Sequence, residues 1–230
     1  GKKHLQYSIL KILSKSEVPV GSGFICENLR LRGFDISEAT VGRLLREFDI
    51  DNLTQKVGFK GRTLTSMGRD KLEELGREKD IHYYGKELIS AINATGLEEL
   101  LEILTARKVI ESQLAKLAAE RITPDEVKEI EGIIGRQQKH VDQGKSIAQD
   151  DVDFHSMIAK IAGNRVLEAA MALIRQHGQL SPIFEHIRKV VRSGVVLDHK
   201  EIFKALINKD PKTAEKAMIR HISNLEADVK

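Results

Sequence analysis

The chain has 230 residues, enough for two ordinary domains that each bury a hydrophobic core. Its residues are 41% hydrophobic and 31% charged, and no run of eighteen apolar residues occurs, so we expect a globular protein without a membrane span. No apolar segment typical of a secretory signal follows the basic start, and the single cysteine, Cys26, cannot form an internal disulfide. Both features fit a cytoplasmic protein.

The net charge of +3 is unevenly distributed along the chain. Residues 1–84 contain 15 Lys and Arg against 12 Asp and Glu, whereas residues 85–230 contain 22 of each kind. The excess of positive charge therefore lies in the N-terminal third, where it is compatible with contacts to nucleic-acid phosphates.

The first 80 residues predict three helices, a hairpin and a fourth helix, in that order. The first helix covers about 4–14, and the second follows residues 21–23 and closes at Gly33. The third begins after Ser37, an N-cap residue, and ends near Asn52, which tolerates a left-handed backbone. Two β-like runs, 53–57 and 62–65, flank a glycine-bearing turn and predict a hairpin, and a helix over about 66–77 follows.

This order of elements is the plan of a winged helix-turn-helix domain. In such a domain the third helix enters the major groove of DNA, and the hairpin grips the backbone or the minor groove. The alternative is that the basic residues form a solvated face of a small domain that binds protein. The candidate DNA-binding residues lie on the exposed face of the third helix and in the hairpin: Glu38, Thr40, Arg43, Arg46, Lys56, Lys60 and Arg62.

Residues 5–76 resemble the ribonuclease-R-type winged-helix domain found in several prokaryotic regulators. The motifs that carry the likeness are Ile9-Leu10-x-Ile12-Leu13, Arg32-Gly33-Phe34-Asp35-Ile36-Ser37-Glu38 and Gly58-x-x-Gly61-Arg62-x-Leu64-Thr65. The family usually has a glycine just before the first wing strand, where this chain has Asn52. The resemblance implies a winged helix whose partner is an operator in double-stranded DNA.

From residue 97 onward the pattern is helical throughout. Thr123-Pro124-Asp125-Glu126 combines an N-cap threonine, a proline start and a capping-box glutamate. Six helices are predicted: 97–122, 124–142, 147–162, 165–190 with a kink or break around 178–182, 195–208 and 211–228. We expect a winged-helix domain over 1–80, a linker over 81–96 and an all-helical domain over 97–230.

Six of the eight histidines lie in the helical domain, and three of them share a helical face with apolar residues that should point into the bundle. Burying such groups without a partner costs a few kcal/mol each, and a divalent metal would supply a common partner. Three imidazoles and a carboxylate suit Zn²⁺, our first candidate, and also Ni²⁺, Fe²⁺, Co²⁺ or Mn²⁺, but not Mg²⁺ or Ca²⁺. The alternative is that each histidine is a hydrogen-bonded core residue. The predicted metal ligands are Asp151, His155, His199 and His221.

The same region resembles the effector domain of the FadR-type branch of the GntR regulators, the FCD domain. The likeness spans about 97–226, and its motifs are Asp151-x-x-Phe154-His155-x-x-Ile158, Ala162-Gly163-Asn164-x-x-Leu167 and His199-x-x-Ile202. The resemblance implies an antiparallel helical bundle, usually dimeric, which holds a metal through those four ligands and binds a carboxylate effector at the free metal positions. The winged helix differs from the usual GntR signature, so family rules for operator sequence are not carried over.

We therefore predict a mainly α fold, with an N-terminal winged helix-turn-helix and a C-terminal antiparallel six-helix bundle. Three further residues are predicted at the effector site: Arg107, Asn164 and His177. Arg107 could pair with an effector carboxylate or instead with Glu111, four residues along its helix. Asn164 is equally placed to cap a helix. His177 either borders the pocket or packs in the core.

The predicted function is that of a ligand-responsive, DNA-binding transcriptional regulator that acts as a homodimer and senses a small organic acid at its metal centre. Two alternatives keep the metal but change its role: the ion itself is the signal, or it is purely structural. A third is a helical-bundle metalloenzyme. The sequence has no His-Glu-x-x-His motif, and the periodicity turns Asp153 away from the Asp151 face, so we expect that the protein is not an enzyme.

Overall fold

The computed structural model describes residues 2–93, 96–175, 184, 186–187 and 194–230. The chain divides into two compact units, Gly1–Glu87 and Leu88–Lys230. None of the described helices is both long enough and apolar enough to cross a bilayer.

The first unit has the winged-helix order of elements, which confirms the predicted fold of this region. Its elements are α1 (Lys2–Ser14), α2 (Ser22–Arg30), α3 (Glu38–Ile50), β1 (Thr54–Lys56), β2 (Arg62–Leu64) and α4 (Ser66–Ile92), the last of which runs into the second unit. The Ser37 side chain accepts a hydrogen bond from the Thr40 amide and so starts α3 as the sequence predicted. Asn52 has a φ of 55°, the left-handed backbone expected where α3 ends.

The two strands form an antiparallel hairpin, with Gln55 opposite Thr63. Val20, before α2, bridges to Arg62 through two backbone hydrogen bonds of 2.9 Å. The hairpin is therefore fixed to the helical part of the unit along the outer side of β2.

Helix α4 is longer than the sequence predicted. The predicted helix ended at 77, but α4 continues to Ile92, so residues 81–92 of the predicted linker are helical. The physical reason is that residues 78–92 contain no proline and a single glycine, Gly85, so no strong stop signal ends the helix. The functional division at 81–96 stays a prediction.

The second unit is an antiparallel helical bundle, as predicted, although residues 176–183, 185 and 188–190 of the predicted helix 165–190, with its expected break, lie outside the described residues. Its helices are α5 (Leu97–Arg121), α6 (Pro124–Asp142), α7 (Ala148–Ala162), α8 (Arg165–Ile174), α9 (Val195–Ile207) and α10 (Pro211–Val229). Helix α5 packs against α7, α8, α9 and α10, so it is the central helix of the described bundle. Thr123 and Glu126 form the predicted capping box at the start of α6, and Gly163, with a φ of 61°, ends α7.

Candidate metal centre

Three helices of the bundle bring together the four side chains that the sequence singled out. Asp151 and His155 lie on α7, His199 on α9 and His221 on α10, and one potential ligand atom from each lies within 4.8 Å of the others. The histidines are 3%, 0% and 1% exposed, respectively. Their ring centroids lie 4.7–5.3 Å apart. The three imidazoles therefore meet inside the core.

Helical spacing and core packing explain why these side chains converge. Asp151 and His155 are four residues apart and so project from the same side of α7. Phe154, fully buried beside them, stacks its ring on that of His199 with centroids 4.1 Å apart and an angle of 17° between the planes. The Phe154 ring thus joins α7 to α9 at the cluster.

In each of the three histidines, the Nδ1 atom contacts an oxygen of another side chain. Nδ1 of His199 donates to Oε1 of Gln137 at 2.9 Å. Nδ1 of His221 donates to Oδ2 of Asp198 at 3.3 Å. Nδ1 of His155 lies in contact with Oε2 of Glu111.

Acceptor oxygens at all three Nδ1 atoms favour the tautomer that carries its proton there. The lone pair of each ring is then on Nε2. This arrangement, in which an outer oxygen orients each imidazole, is the usual surrounding of histidines that bind metals in proteins.

The inner atoms of the cluster fit a transition-metal ion. Oδ1 of Asp151 lies 3.7 Å from Nε2 of His155 and 3.6 Å from Nε2 of His199. Two ligand atoms that bind the same tetrahedral ion, each at about 2.1 Å, lie about 3.4 Å from one another. Nε2 of His155 is buried and has no hydrogen-bond partner among the described residues, which is unfavourable unless another group binds there. The donor set and its spacing therefore suit the metals named above.

Two arginines pair with carboxylates at this centre, one with Glu111 and one with the candidate ligand Asp151. Glu111 accepts a hydrogen bond of 2.7 Å from Nε of Arg107, and Asp151 accepts one of 2.6 Å from Arg175. Burial alone would raise the pKa of the Glu111 carboxyl, but Arg107 and His155 hold that pKa well below its usual value. Burial would likewise raise the pKa of Asp151, which the Arg175 guanidinium holds well below its usual value. Both acids are therefore ionised.

Burial of His155 favours the neutral form of its imidazole, which is the form that binds metals. It lowers the pKa of the imidazole, although the Glu111 carboxylate opposes the shift. The neutral ring, which is the form that binds metals, is therefore favoured.

A cavity of about 330 Å³ between α7 and α8 opens beside the centre. Its walls include His155 and Arg175, so a small molecule in the cavity would lie beside a candidate metal ligand and a buried guanidinium. The other lining residues are Val152, Ser156, Ala159, Glu168, Met171 and Ala172.

The predicted effector residues are placed as follows. Arg107 is buried, pairs with Glu111 as the alternative interpretation held, and lies with its guanidinium carbon 5.5 Å from the centroid of the Phe184 ring. The Asn164 side chain accepts hydrogen bonds from the first amides of α8 and is a helix cap. His177 lies outside the described residues. The effector role of these residues stays a prediction.

The candidate DNA-binding residues of α3 differ in exposure. Arg43 and Arg46 are exposed on α3, and Thr40 is half-buried. Glu38 is exposed, but its carboxylate accepts a hydrogen bond of 2.9 Å from the Ser22 hydroxyl. The two arginines are therefore better placed to contact DNA than Glu38, whose carboxylate links α3 to α2.

The candidates in the hairpin also differ. Lys56 and Lys60 are exposed, whereas Arg62 forms an ion pair of 2.8 Å with Asp49, and its side chain is only 13% exposed. Thr54 donates to the same carboxylate at 2.6 Å. Arg62 therefore ties the hairpin to α3, and its predicted contact with DNA would require that this pair opens.

Sequence reasoning missed the groups that orient the imidazoles. Gln137 carried a signal, because it continues the buried stripe of Ile130, Ile133 and Ile134 on α6 at helical spacing. Glu111 was considered only as a partner of Arg107. No sequence pattern pointed to Asp198 or Arg175, because their partners lie on other helices.

The fold and this cluster define a class of protein, in which a winged helix precedes a helical bundle with a histidine-rich centre. Residues 102–224 match the family described as FCD domain, and residues 7–72 match the family described as Ribonuclease R winged-helix domain. The chain belongs to the FCD domain family, and its N-terminal region is a winged-helix domain similar to that of ribonuclease R.

Named relatives share one region each with this chain. The Exu regulon transcriptional regulator of Escherichia coli K12 is 31% identical over 127 residues, which are 54% of this chain and 48% of that protein. The Global nitrogen regulator NrpR of Methanococcus maripaludis is 39% identical over 71 residues, which are 31% of this chain and 13% of that protein. The matches thus span about half of the first relative and about an eighth of the second.

A solved structure has a similar fold. E. coli McbR/YncC matches with a TM-score of 0.51 and 16% identity, covering 99% of this chain and 94% of that chain. At this identity the match supports the fold alone.

Proposed function

We propose that the protein is a ligand-responsive, DNA-binding transcriptional regulator that senses a small carboxylate at a metal centre in its helical bundle. The observation that carries the proposal is the meeting of Asp151 with three buried imidazoles, each held through Nδ1 by an oxygen of another side chain. A bundle that needed only a core would gain more from apolar side chains at these positions.

The DNA-binding part of the proposal rests on the first unit. Arg43 and Arg46 are exposed on the helix that corresponds to the recognition helix, and Lys56 and Lys60 are exposed on the hairpin. The relatives that match parts of the chain bear the names of regulators, one of them a transcriptional regulator. An operator in double-stranded DNA is the partner that these features favour.

The sensing part rests on the cavity between α7 and α8. Four protein ligands complete the shell of a tetrahedral ion, but they leave free positions on an ion that takes about five or six ligands. A carboxylate could bind at such a position. Arg175, at the cavity wall and bonded to Asp151, can present its guanidinium to the same carboxylate. We place Arg175 ahead of Arg107 in this role, because Arg175 lines this cavity and Arg107 does not. A cavity of about 330 Å³ is at the small end of ligand sites, which suits a small organic acid.

Regulation requires that the effector binds two arrangements of the protein with different affinity. In a homodimer, which the family resemblance implies, the two recognition helices must match the spacing of the two half-sites. An effector that changes this spacing changes operator affinity. The proposal therefore predicts that metal and acid act together on DNA binding.

The test measures operator affinity by fluorescence anisotropy, with DNA from upstream of the protein's own gene. The protein is stripped with a chelator, reloaded with Zn²⁺ or Ni²⁺, and titrated with and without a panel of small organic acids. A change in affinity of about fivefold or more that needs both metal and acid supports the proposal. A change with metal alone indicates a metal sensor, indifference to both indicates a structural metal, and substrate turnover lost on chelation indicates a metalloenzyme.

The chain offers a matched pair of variants for the metal site. Asp151→Asn removes a candidate ligand, whereas Asp153→Asn makes the same change two residues away, where the carboxylate pairs with exposed Arg136. We expect metal affinity to fall by about tenfold or more in the first variant and to stay unchanged in the second. Equal metal affinity in both variants would contradict the assignment of Asp151.

A further inference from the structure

The tip of the hairpin presents an aromatic side chain that the proposed function has not used. Phe59 lies in the turn between β1 and β2, and its relative exposure is 107%, so its ring has no packing role in the described unit. Single exposed apolar residues are common on protein surfaces, so exposure alone carries no conclusion. The backbone shape and the charge of the hairpin tip provide the additional evidence for a role of Phe59.

The backbone of the tip is fixed in a defined shape. The Lys60 amide donates to the Val57 carbonyl at 3.0 Å and the Val57 amide to the Gly61 carbonyl at 2.8 Å, which closes a tight turn with Phe59 at its outer end. Gly58 and Gly61 have φ values of 50° and 121°, which side chains on these residues would disfavour. A Cβ at Gly61 would also collide with the Val20 backbone. The turn therefore packs closely on the backbone at Val20, and the Phe59 side chain projects away from that contact.

The charge around Phe59 suits a polyanion. Residues 53–65 contain three basic residues and no Asp or Glu. One of them, Arg62, is neutralised by Asp49, and the other two, Lys56 and Lys60, are exposed on either side of Phe59 in the sequence. An uncharged ring between two exposed cations matches a groove lined by phosphates, where the cations contact the backbone and the ring reaches inside.

We propose that Phe59 is a DNA-contacting residue that packs its ring into the minor groove and contributes affinity without neutralising a phosphate. The inference rests on the proposed DNA-binding function and adds to it a contact of a different kind. Burying most of an aromatic ring corresponds to an affinity gain of about tenfold or more. Because the ring carries no charge, this gain is independent of salt.

The experiment compares variants of the full-length protein on a labelled duplex of mixed sequence, about 30 base pairs long, over a series of salt concentrations. Phe59→Ala should weaken binding by about tenfold at every salt concentration, with the slope of log K against log salt unchanged. Lys60→Ala should instead make that slope shallower by about 0.9. Val109→Ala truncates an exposed apolar residue on α5 and should change neither quantity.

The salt series separates the failure of the inference from that of the proposed function. A wild-type protein that binds the duplex weakly and without salt dependence would overturn both. Steep salt dependence in the wild type, with Phe59→Ala binding as tightly, would overturn the role of Phe59 alone. Thermal unfolding of Phe59→Ala should match the wild type, since the ring is exposed.

A second duplex tests the position of the ring. Replacing guanine with inosine removes an amino group from the minor groove and leaves the major-groove edge unchanged. We expect the wild type to bind the inosine duplex more tightly and Phe59→Ala to bind both duplexes equally. The same response to inosine in both proteins would contradict a minor-groove contact by Phe59.

Discussion

Replacing Gln137 with leucine removes the oxygen that orients His199 while keeping the side chain similar in size. Gln137 and His199 are both 0% exposed, and the hydrogen bond between them is 2.9 Å long. Leucine has no acceptor for the Nδ1 proton. The ring then either leaves a buried donor unsatisfied or moves its proton to Nε2, which faces Oδ1 of Asp151 at 3.6 Å.

The magnitude follows from either outcome. An unsatisfied buried donor costs about 1–3 kcal/mol. A proton on Nε2 must be displaced before a metal binds there, and the loss of such an outer partner typically weakens metal binding by about 10–100-fold. Since a tenfold change corresponds to about 1.4 kcal/mol, the two estimates agree. We therefore expect metal affinity to fall by about 10–100-fold in Gln137→Leu.

The assay is competition for the metal with a chromophoric chelator, with thermal unfolding of the metal-free protein measured alongside. Gln138→Leu is the matched control, because Gln138 is the next residue on α6. Among the described residues, its side chain forms hydrogen bonds only with Asp142 and Lys200. The control should bind metal like the wild type. If Gln137→Leu also binds metal within about twofold of the wild type, the argument that outer oxygens hold the imidazoles is wrong.

Three further predictions concern stability. Arg62→Ala breaks the ion pair with Asp49 that ties the hairpin to α3, and we expect a loss of about 1–2 kcal/mol in urea unfolding; an unchanged midpoint would contradict this role. Thr123→Ala removes the capping box of α6 and should cost about 1 kcal/mol, whereas a change in melting temperature below experimental error would refute it. Phe154→Ala leaves a cavity beside His199 and should cost about 3–5 kcal/mol by calorimetry, and a cost below about 1 kcal/mol would show that the core closes around the gap.

Local signals explain what could be predicted from the sequence. The capping residues Thr123 and Asn164 act within their own turn of helix, so neighbouring residues identify them. Asp151 and His155 share a face through spacing alone, and their apolar neighbours indicate which face is buried. The convergence of that face with His199 and His221 was inferred from the same periodicity and from the family resemblance.

Contacts between distant elements explain the rest. Arg62 was predicted at the wing as a contact to DNA, but it pairs with Asp49 on α3, and no spacing rule connects residues on a helix and a strand. Glu111 and Asp198 lie on helices whose relative rotation decides which imidazole they meet. The predicted helix ended at 77, whereas α4 continues to Ile92 through residues that carry no strong stop signal.

X-ray absorption spectroscopy of the metal-loaded protein tests the central claim most directly. The account predicts a first shell with three imidazole nitrogens and carboxylate oxygen at about 2.0–2.2 Å, with the multiple-scattering pattern of imidazole rings. A shell without imidazole, or one with sulfur from Cys26, the single cysteine of the chain, would place the ion elsewhere and contradict the account.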